Sequence, residues 1–200
     1  MTQQGKWLKI LDSAIVITGC AMAFYHLFST QYLFQSTIEH QAFHLGFALA
    51  LVFMTSLKTL KRRKLWPLVA TLLLAGLVVA VYMKARYLHL EINVGRPTSL
   101  DIFIGVILVI VVLEATRQAW GPILPAIATM FILYFFFGHL LPETTGLAWG
   151  VLPVPTIISV LGIGFTGTFG VFLGVSANFI ILFVVFGGLM SIMGVPVLIL

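Results

Sequence analysis

The chain has little charge. Of its 200 residues, 11 are Lys or Arg and 6 are Asp or Glu, so charged side chains make up 8%. A soluble domain carries roughly 25%. So few charges could not cover the surface of a 200-residue globule. That scarcity excludes a cytosolic enzyme, a DNA-binding module and a disordered regulator. Cysteine is scarcer still: Cys20 is alone and cannot form an internal bridge, which excludes a disulfide-stapled secreted domain. The short motifs of soluble catalysis are also missing. There is no Walker A lysine loop, no H-E-x-x-H, no cysteine cluster and no G-x-S-x-G. Gly162, Gly164, Gly167, Gly170 and Gly174 are too irregularly spaced for a dinucleotide fingerprint, and no acidic residue follows them.

What is present is apolar. Hydrophobic residues are 60% of the chain and the mean hydropathy is +1.13. A spanning helix needs about 20 mostly apolar residues, because the hydrocarbon core is about 30 Å thick. Six runs qualify, near Asp12–Leu33, Ile38–Leu57, Leu65–Met83, Ser99–Ala119, Gly121–Gly138 and Val171–Met193. They do not alternate as barrel strands would. The reading is an all-α integral membrane protein with about six transmembrane helices. The first run is expected to stay uncleaved, since Asp12 interrupts its start and apolar residues continue through Phe28.

Basic residues set the orientation. Lys6, Lys9, Lys58, Lys61, Arg62, Arg63, Lys64 and Arg117 fall on one side if the N-terminus is cytoplasmic. Only Lys84, Arg86 and Arg96 fall on the other, and the stretch Gly138–Phe169 has none. The N-terminus is therefore expected inside, with Lys58–Lys64 at lipid headgroups and no nucleic-acid role.

Polar residues inside apolar runs are the candidate sites. Asp101 falls in the first turn of the fourth run, where a carboxylate complements the helix dipole. Glu114 and Arg117, three apart, are expected to pair on one helix face and to hold one bundle of helices against another. Asn178, in the last run, needs a partner and is expected to face protein. His40 and His44 share a helix face and His26 lies in the neighbouring run. Both His40 and His44 fall at the outer end of their run, and no two runs carry midplane histidines placed to face each other. Interfacial packing is the expectation. Five glycines in Gly162–Gly174 disfavour a regular free-standing helix, at about 1 kcal/mol each relative to Ala. An interfacial or re-entrant segment before the last helix is the alternative.

Two stretches carry a resemblance. Arg96 to Gly138 contains R-P-T followed by an acidic residue, L-E-A-T-R with a nearby W-G, an L-P step and a helix of F-x-x-Y-F type. Gly167 to Gly194 contains G-x-F-G-x-x-x-G-V-S-A and then F-x-x-F-G, which ends on Gly187. Together they resemble the fused membrane permeases of TRAP transporters (tripartite ATP-independent periplasmic transporters), TAXI subfamily. The resemblance implies a small four-helix scaffold domain over residues 1–119 and the opening of the large transport domain over 120–200. It implies a multi-pass protein of the bacterial inner membrane that imports small organic acids on a Na⁺ or H⁺ gradient. The implied partners are an extracytoplasmic substrate-binding protein, the remainder of the large domain and membrane lipids. Glu114 and Arg117 would then stabilise the junction of the two domains, with Asp101, Asn178 and Gly187 as further structural or interface candidates.

No residue matches the family's substrate or coupling-ion motifs, so no substrate ligand, catalytic residue, bound cofactor or metal site is assigned. The apolar run to Leu200 predicts a continuation, as in a fragment or a split subunit. The alternatives are a haem-binding membrane anchor of a redox enzyme, using His26, His40 or His44, and a non-transporting membrane assembly protein.

Overall fold

The computed structural model describes residues 3–32, 36–60, 63–93 and 95–194. Leu33, Lys61, Arg62 and residues 195–200, which enter the sequence reading, lie outside the described residues. Six helices are long and apolar enough to cross a membrane, and no strand occurs among the described residues. The protein is a multi-pass membrane protein.

Helix α1 (Gln3–Ser29) begins well before Asp12. The carboxylate of Asp12 pairs with Lys58, near the far end of the second helix, so its charge is compensated without breaking the span. Helix α2 (Thr37–Thr59) starts on a capping box: Ser36 Oγ accepts from Glu39 N, and Glu39 Oε2 accepts from Ser36 N at 3.0 Å. Two of the orphan donors at that helix start are thereby satisfied. Helix α3 (Trp66–Ile92) runs nine residues past Met83. Lys84, Arg86 and His89 therefore sit on a helix rather than in an outer loop. The apolar window closes at the first charge, but Lys, Ala, Arg, Leu and Glu all favour helix, so the backbone continues.

Helix α4 (Ser99–Trp120) ends at Gly121, whose φ of 86° lets the chain turn at once into Pro122 and α5 (Ile123–Phe137). A 3₁₀ turn extends α5 to Leu140, giving an 18-residue span. The loop beyond it folds back: Tyr134 donates to the Leu147 carbonyl at 2.6 Å, and the Trp149 ring lies over Gly138. A ten-residue apolar helix, α6 (Val154–Ile163), and a glycine-rich turn lead into α7 (Val171–Ile192).

Helix α2 is the centre of the bundle. Half of its apolar window is buried, against 6% for α7. Ala42, Leu49 and Phe53 pack with Val79 and Met83 of α3 and with Leu108 and Val111 of α4. In lipid no hydrophobic force drives helices together, so close fit and small residues must do it. Gly46 supplies one such contact, since a Cβ there would lie 3.0 Å from the Ala80 Cβ. The outer faces of α1, α5 and α7 remain apolar and exposed, as lipid-facing surfaces are.

The segment from α6 to α7 is a broken hairpin. Each arm contains a π-helical stretch, Ser159–Ile163 in α6 and Ser176–Ile180 in α7. Thr168 closes the turn by donating from both N and Oγ1 to the Leu161 carbonyl. Ile163 and Phe169 are buried in the same core as α2 and α4. Gly105, where α6 meets α4, lies six residues into α4, or about 9 Å from its start at 1.5 Å per residue.

Candidate functional site

Polar residues of α1, α2 and α7 converge at one place, where the end of α1, the start of α2 and the start of α7 meet. His26 and His44 are buried, at 1% and 5% exposed. They face each other directly: His44 Nδ1 and His26 Nε2 are 3.0 Å apart, with the rings nearly perpendicular. The sequence argues against a facing pair only at the midplane and for packing near the span ends, and this pair lies near the end of α1 and the start of α2. The antiparallel α1–α2 pair puts a residue one turn from the end of α1 beside a residue two turns into α2. Spacing within one run does not reveal that register.

The partners settle the protons. A carbonyl only accepts, so His26 Nδ1, 2.7 Å from the Met22 carbonyl, must carry a proton. Its Nε2 is then the acceptor in the uncharged ring, and His44 Nδ1–H donates to it. His44 Nε2 is left as an acceptor and takes the hydroxyl proton of Ser176, 3.0 Å away on α7. His40 is fixed the same way. Its Nε2–H donates to the Ala177 carbonyl at 3.2 Å, and its Nδ1 accepts from the Tyr25 hydroxyl at 3.1 Å. These tautomers follow from the hydrogen-bond partners. The result is two directed chains side by side, Ser176 to His44 to His26 to Met22 and Tyr25 to His40 to Ala177.

Both contacts on α7 fall at its π-helical stretch, where the Ile181 N–H reaches back five residues to Ser176. Such stretches often mark functional positions in helices. Gln41, one turn before His44, is also buried against α7. Its Nε2 occupies the space a Cβ on Gly174 would need, and its Oε1 accepts no hydrogen bond from the described residues. A cavity of about 470 Å³ opens beside the cluster, and Tyr25, His26, Ser36, His40, Ala177 and Asn178 contribute to its wall.

Of the structural and interface candidates named in sequence, Asn178 lies at this site and Asp101, Glu114, Arg117 and Gly187 lie elsewhere. Asp101 is fully buried at the start of α4. Its carboxylate accepts from Thr98 N and Thr98 Oγ1, both at 2.7 Å, and from the Tyr82 hydroxyl of α3. Glu114 and Arg117 form a two-pronged pair at 2.7 and 2.6 Å, and Gln118 adds a third bond to Glu114 at 2.7 Å. All these partners are on α4, so among the described residues the pair's hydrogen bonds brace one helix. Asn178 donates to the Gly174 carbonyl of its own helix and is exposed on the cavity wall. Its partner is therefore local backbone rather than a facing helix. Gly187 is exposed, and a Cβ there would meet nothing within 4 Å.

In this arrangement His26 and His44 bond to each other and do not flank a haem iron or metal ion. A metal–imidazole bond is about 2.0 Å, so nitrogens across a haem iron stand about 4 Å apart. His26 and His44 instead touch at 3.0 Å through a shared hydrogen. Among the described residues no three His, Cys, Asp or Glu side chains are grouped to hold a metal ion. Comparison with protein-family models, curated proteins and solved structures finds no match.

Proposed function

We propose that this chain is a membrane permease component of a tripartite, ATP-independent secondary transporter of the TRAP-TAXI type. It supplies scaffold helices to a system of the bacterial inner membrane that imports small organic acids on a Na⁺ or H⁺ gradient. Its N-terminus is cytoplasmic, and its basic α2–α3 loop rests on anionic lipid headgroups. An extracytoplasmic binding protein delivers the substrate, and the remainder of a large transport domain completes the pathway. Residues 1–119 are the scaffold, and residues 120–200 open the transport domain.

The observation that carries the reading is the broken hairpin α6–α7. Secondary transporters build their moving and binding elements from interrupted helices, because irregular backbone is tolerated at membrane depth only where protein or a water-filled cavity surrounds it. The second arm, α7, lies within the stretch Gly167–Gly194 whose G-x-F-G-x-x-x-G-V-S-A pattern resembles the family, and the hairpin seats against α4 and α2. Its turn packs beside the α3–α4 connection, near Asn93, Gly95 and Pro97, so it enters from the end of the bundle where α4 begins. On the proposed orientation that is the extracytoplasmic face, which suits an interfacial or re-entrant segment.

The test is uptake by intact cells. Deleting the gene should abolish accumulation of at least one labelled dicarboxylate, 2-oxo acid or amino acid, and complementation should restore it. The lost uptake should collapse with an ionophore and survive ATP depletion while the gradient is held. Uptake unchanged across such a panel sinks the reading.

A further inference from the structure

We propose that His26 and His44 form a binding site for a single proton, shared across their nitrogen–nitrogen contact and closed by Ser176 of α7. The site needs no transport activity and stands apart from the transporter reading.

The hydrogen-bond chain is built to take up one proton without losing a bond. In the uncharged state Ser176 Oγ–H donates to His44 Nε2. A hydronium ion reaching this end of the cluster transfers its proton to the lone pair of His44 Nε2, forms a new N–H bond there and leaves as water. The Ser176 hydroxyl then rotates and accepts from that N–H, which a hydroxyl does as readily as it donates. His44 Nδ1–H still donates to His26 Nε2, and His26 Nδ1–H still donates to Met22 O. The positive charge then has two homes. If the central proton crosses the 3.0 Å gap, His26 becomes the imidazolium and His44 keeps its proton on Nε2. Every hydrogen bond is present in both forms.

A second proton has no such place. It would set two N–H groups against each other across 3.0 Å and bring two like charges together, so the capacity of the pair is one.

The surroundings favour the pair over its neighbours. From α1 the facing titratable group is Tyr25. From α2 it is His40, with Glu39 one residue away and held on the Ser36 N–H. Residues 171–192 of α7 contain no titratable side chain, so only Ser176, the Ala177 carbonyl and Asn178 face the pair from that side. His40 would have to turn a phenol into an acceptor to be charged at Nδ1, and a phenol oxygen is a poorer acceptor than an alkyl hydroxyl. The cavity reaches His26, His40 and Ala177, the residue next to Ser176, and so leads water to the cluster. Because one link, His44 to His26, joins α2 to α1 and another, Ser176 to His44, joins α7 to α2, the proton sits on the seam between the first two spans and the last.

The experiment uses the full chain in lipid nanodiscs with ¹⁵N-labelled histidine rings. At pH about 8 the spectra should show Nδ1–H tautomers for His26 and His44, an Nε2–H tautomer for His40, and a nitrogen–nitrogen coupling across the His44–His26 hydrogen bond. On acidification both rings should shift together, with one proton taken up by the pair. Ser176→Ala should keep the coupling and weaken proton uptake about tenfold, the size of a lost hydrogen bond to a charged group. Ser176→Thr should restore it, and His40→Gln should leave coupling and stoichiometry in place. Nε2–H tautomers at both rings, no coupling, or two independent one-proton transitions in the wild-type chain would each overturn the proposal. So would unchanged proton uptake in Ser176→Ala.

Discussion

Gly162 lies against the backbone of Gly105: a Cβ added to Gly162 would stand 2.8 Å from the Gly105 carbonyl oxygen and 3.0 Å from its Cα. Two helices, α4 and α6, thus cross with backbone against backbone, and neither side can yield by rotating a side chain. Gly162→Ala should destabilise the protein by about 1–3 kcal/mol, the range for overpacking a filled core. Gly188→Ala is the control, since a Cβ there meets nothing within 4 Å. Thermal unfolding in detergent compares the two. Equal melting temperatures for Gly162→Ala and the parent would show that the crossing is loose.

The buried carboxylate of Asp101 serves two masters, the start of α4 and the Tyr82 hydroxyl of α3. Thr98→Ala should cost about 1 kcal/mol as a lost helix cap. Tyr82→Phe should remove the cross-helix bond, and Asp101→Asn should weaken both. The double variant Tyr82→Phe with Asp101→Asn should be less destabilised than the sum of the single changes, with a coupling of about 0.5–3 kcal/mol. Additive effects would mean that the cross-helix bond contributes nothing of its own.

Glu114 and Arg117 form an exposed pair within one helix, so their effect is modest, roughly 0.2–0.5 kcal/mol. Single reversals, Glu114→Arg or Arg117→Glu, place like charges three residues apart. Reversing both restores the pairing in the opposite order. A detergent-stability assay should rank the double reversal above either single one. A double reversal no better than the singles would remove the pair from any stabilising role.

Topology can be read with single cysteines in a Cys20→Ser background. Thr144→Cys, in the loop after α5, should react in intact cells with a membrane-impermeant maleimide. Lys64→Cys, in the basic α2–α3 connection, should react only after the membrane is opened. The reverse pattern would invert the orientation that the basic residues imply.

Much of the fold was legible because hydropathy is a local property. Runs such as Leu65–Met83 announce a spanning helix without reference to any other part of the chain, and Asp101 falls in the first turn of the fourth run, where the structure has it. The errors were at boundaries set by something other than hydropathy. Lys84, Arg86 and His89 extend α3 because their helix preference outlasts the apolar window. Asp12 sits inside α1 because Lys58, 46 positions along the chain, meets it.

The candidate site was the least legible part. One signal was available: His40, Gln41 and His44 lie on one face of α2, polar positions just before a stretch that is apolar from Leu45 to Met54. Their meaning depends on what stands opposite, and period or spacing in α2 is silent about that. Asn178 shows the converse. A polar residue in a span must find a partner, but its own backbone supplied one, at Gly174, where a facing helix had been expected.

The sequence alone determined that this is a membrane protein with six runs long and apolar enough to span, because too few charges exist to face water and each apolar run is about as long as the bilayer is thick. Only the tertiary structure decided that His26, His44 and Ser176 make one hydrogen-bonded chain. The reason is physical: a nitrogen-to-nitrogen contact of 3.0 Å requires a particular register between α1 and α2 and a particular docking of α7. Both are set by van der Waals packing of residues far apart in the chain. The scarcity of charge marked the environment, and the packing of the helices chose which few polar groups would meet inside it.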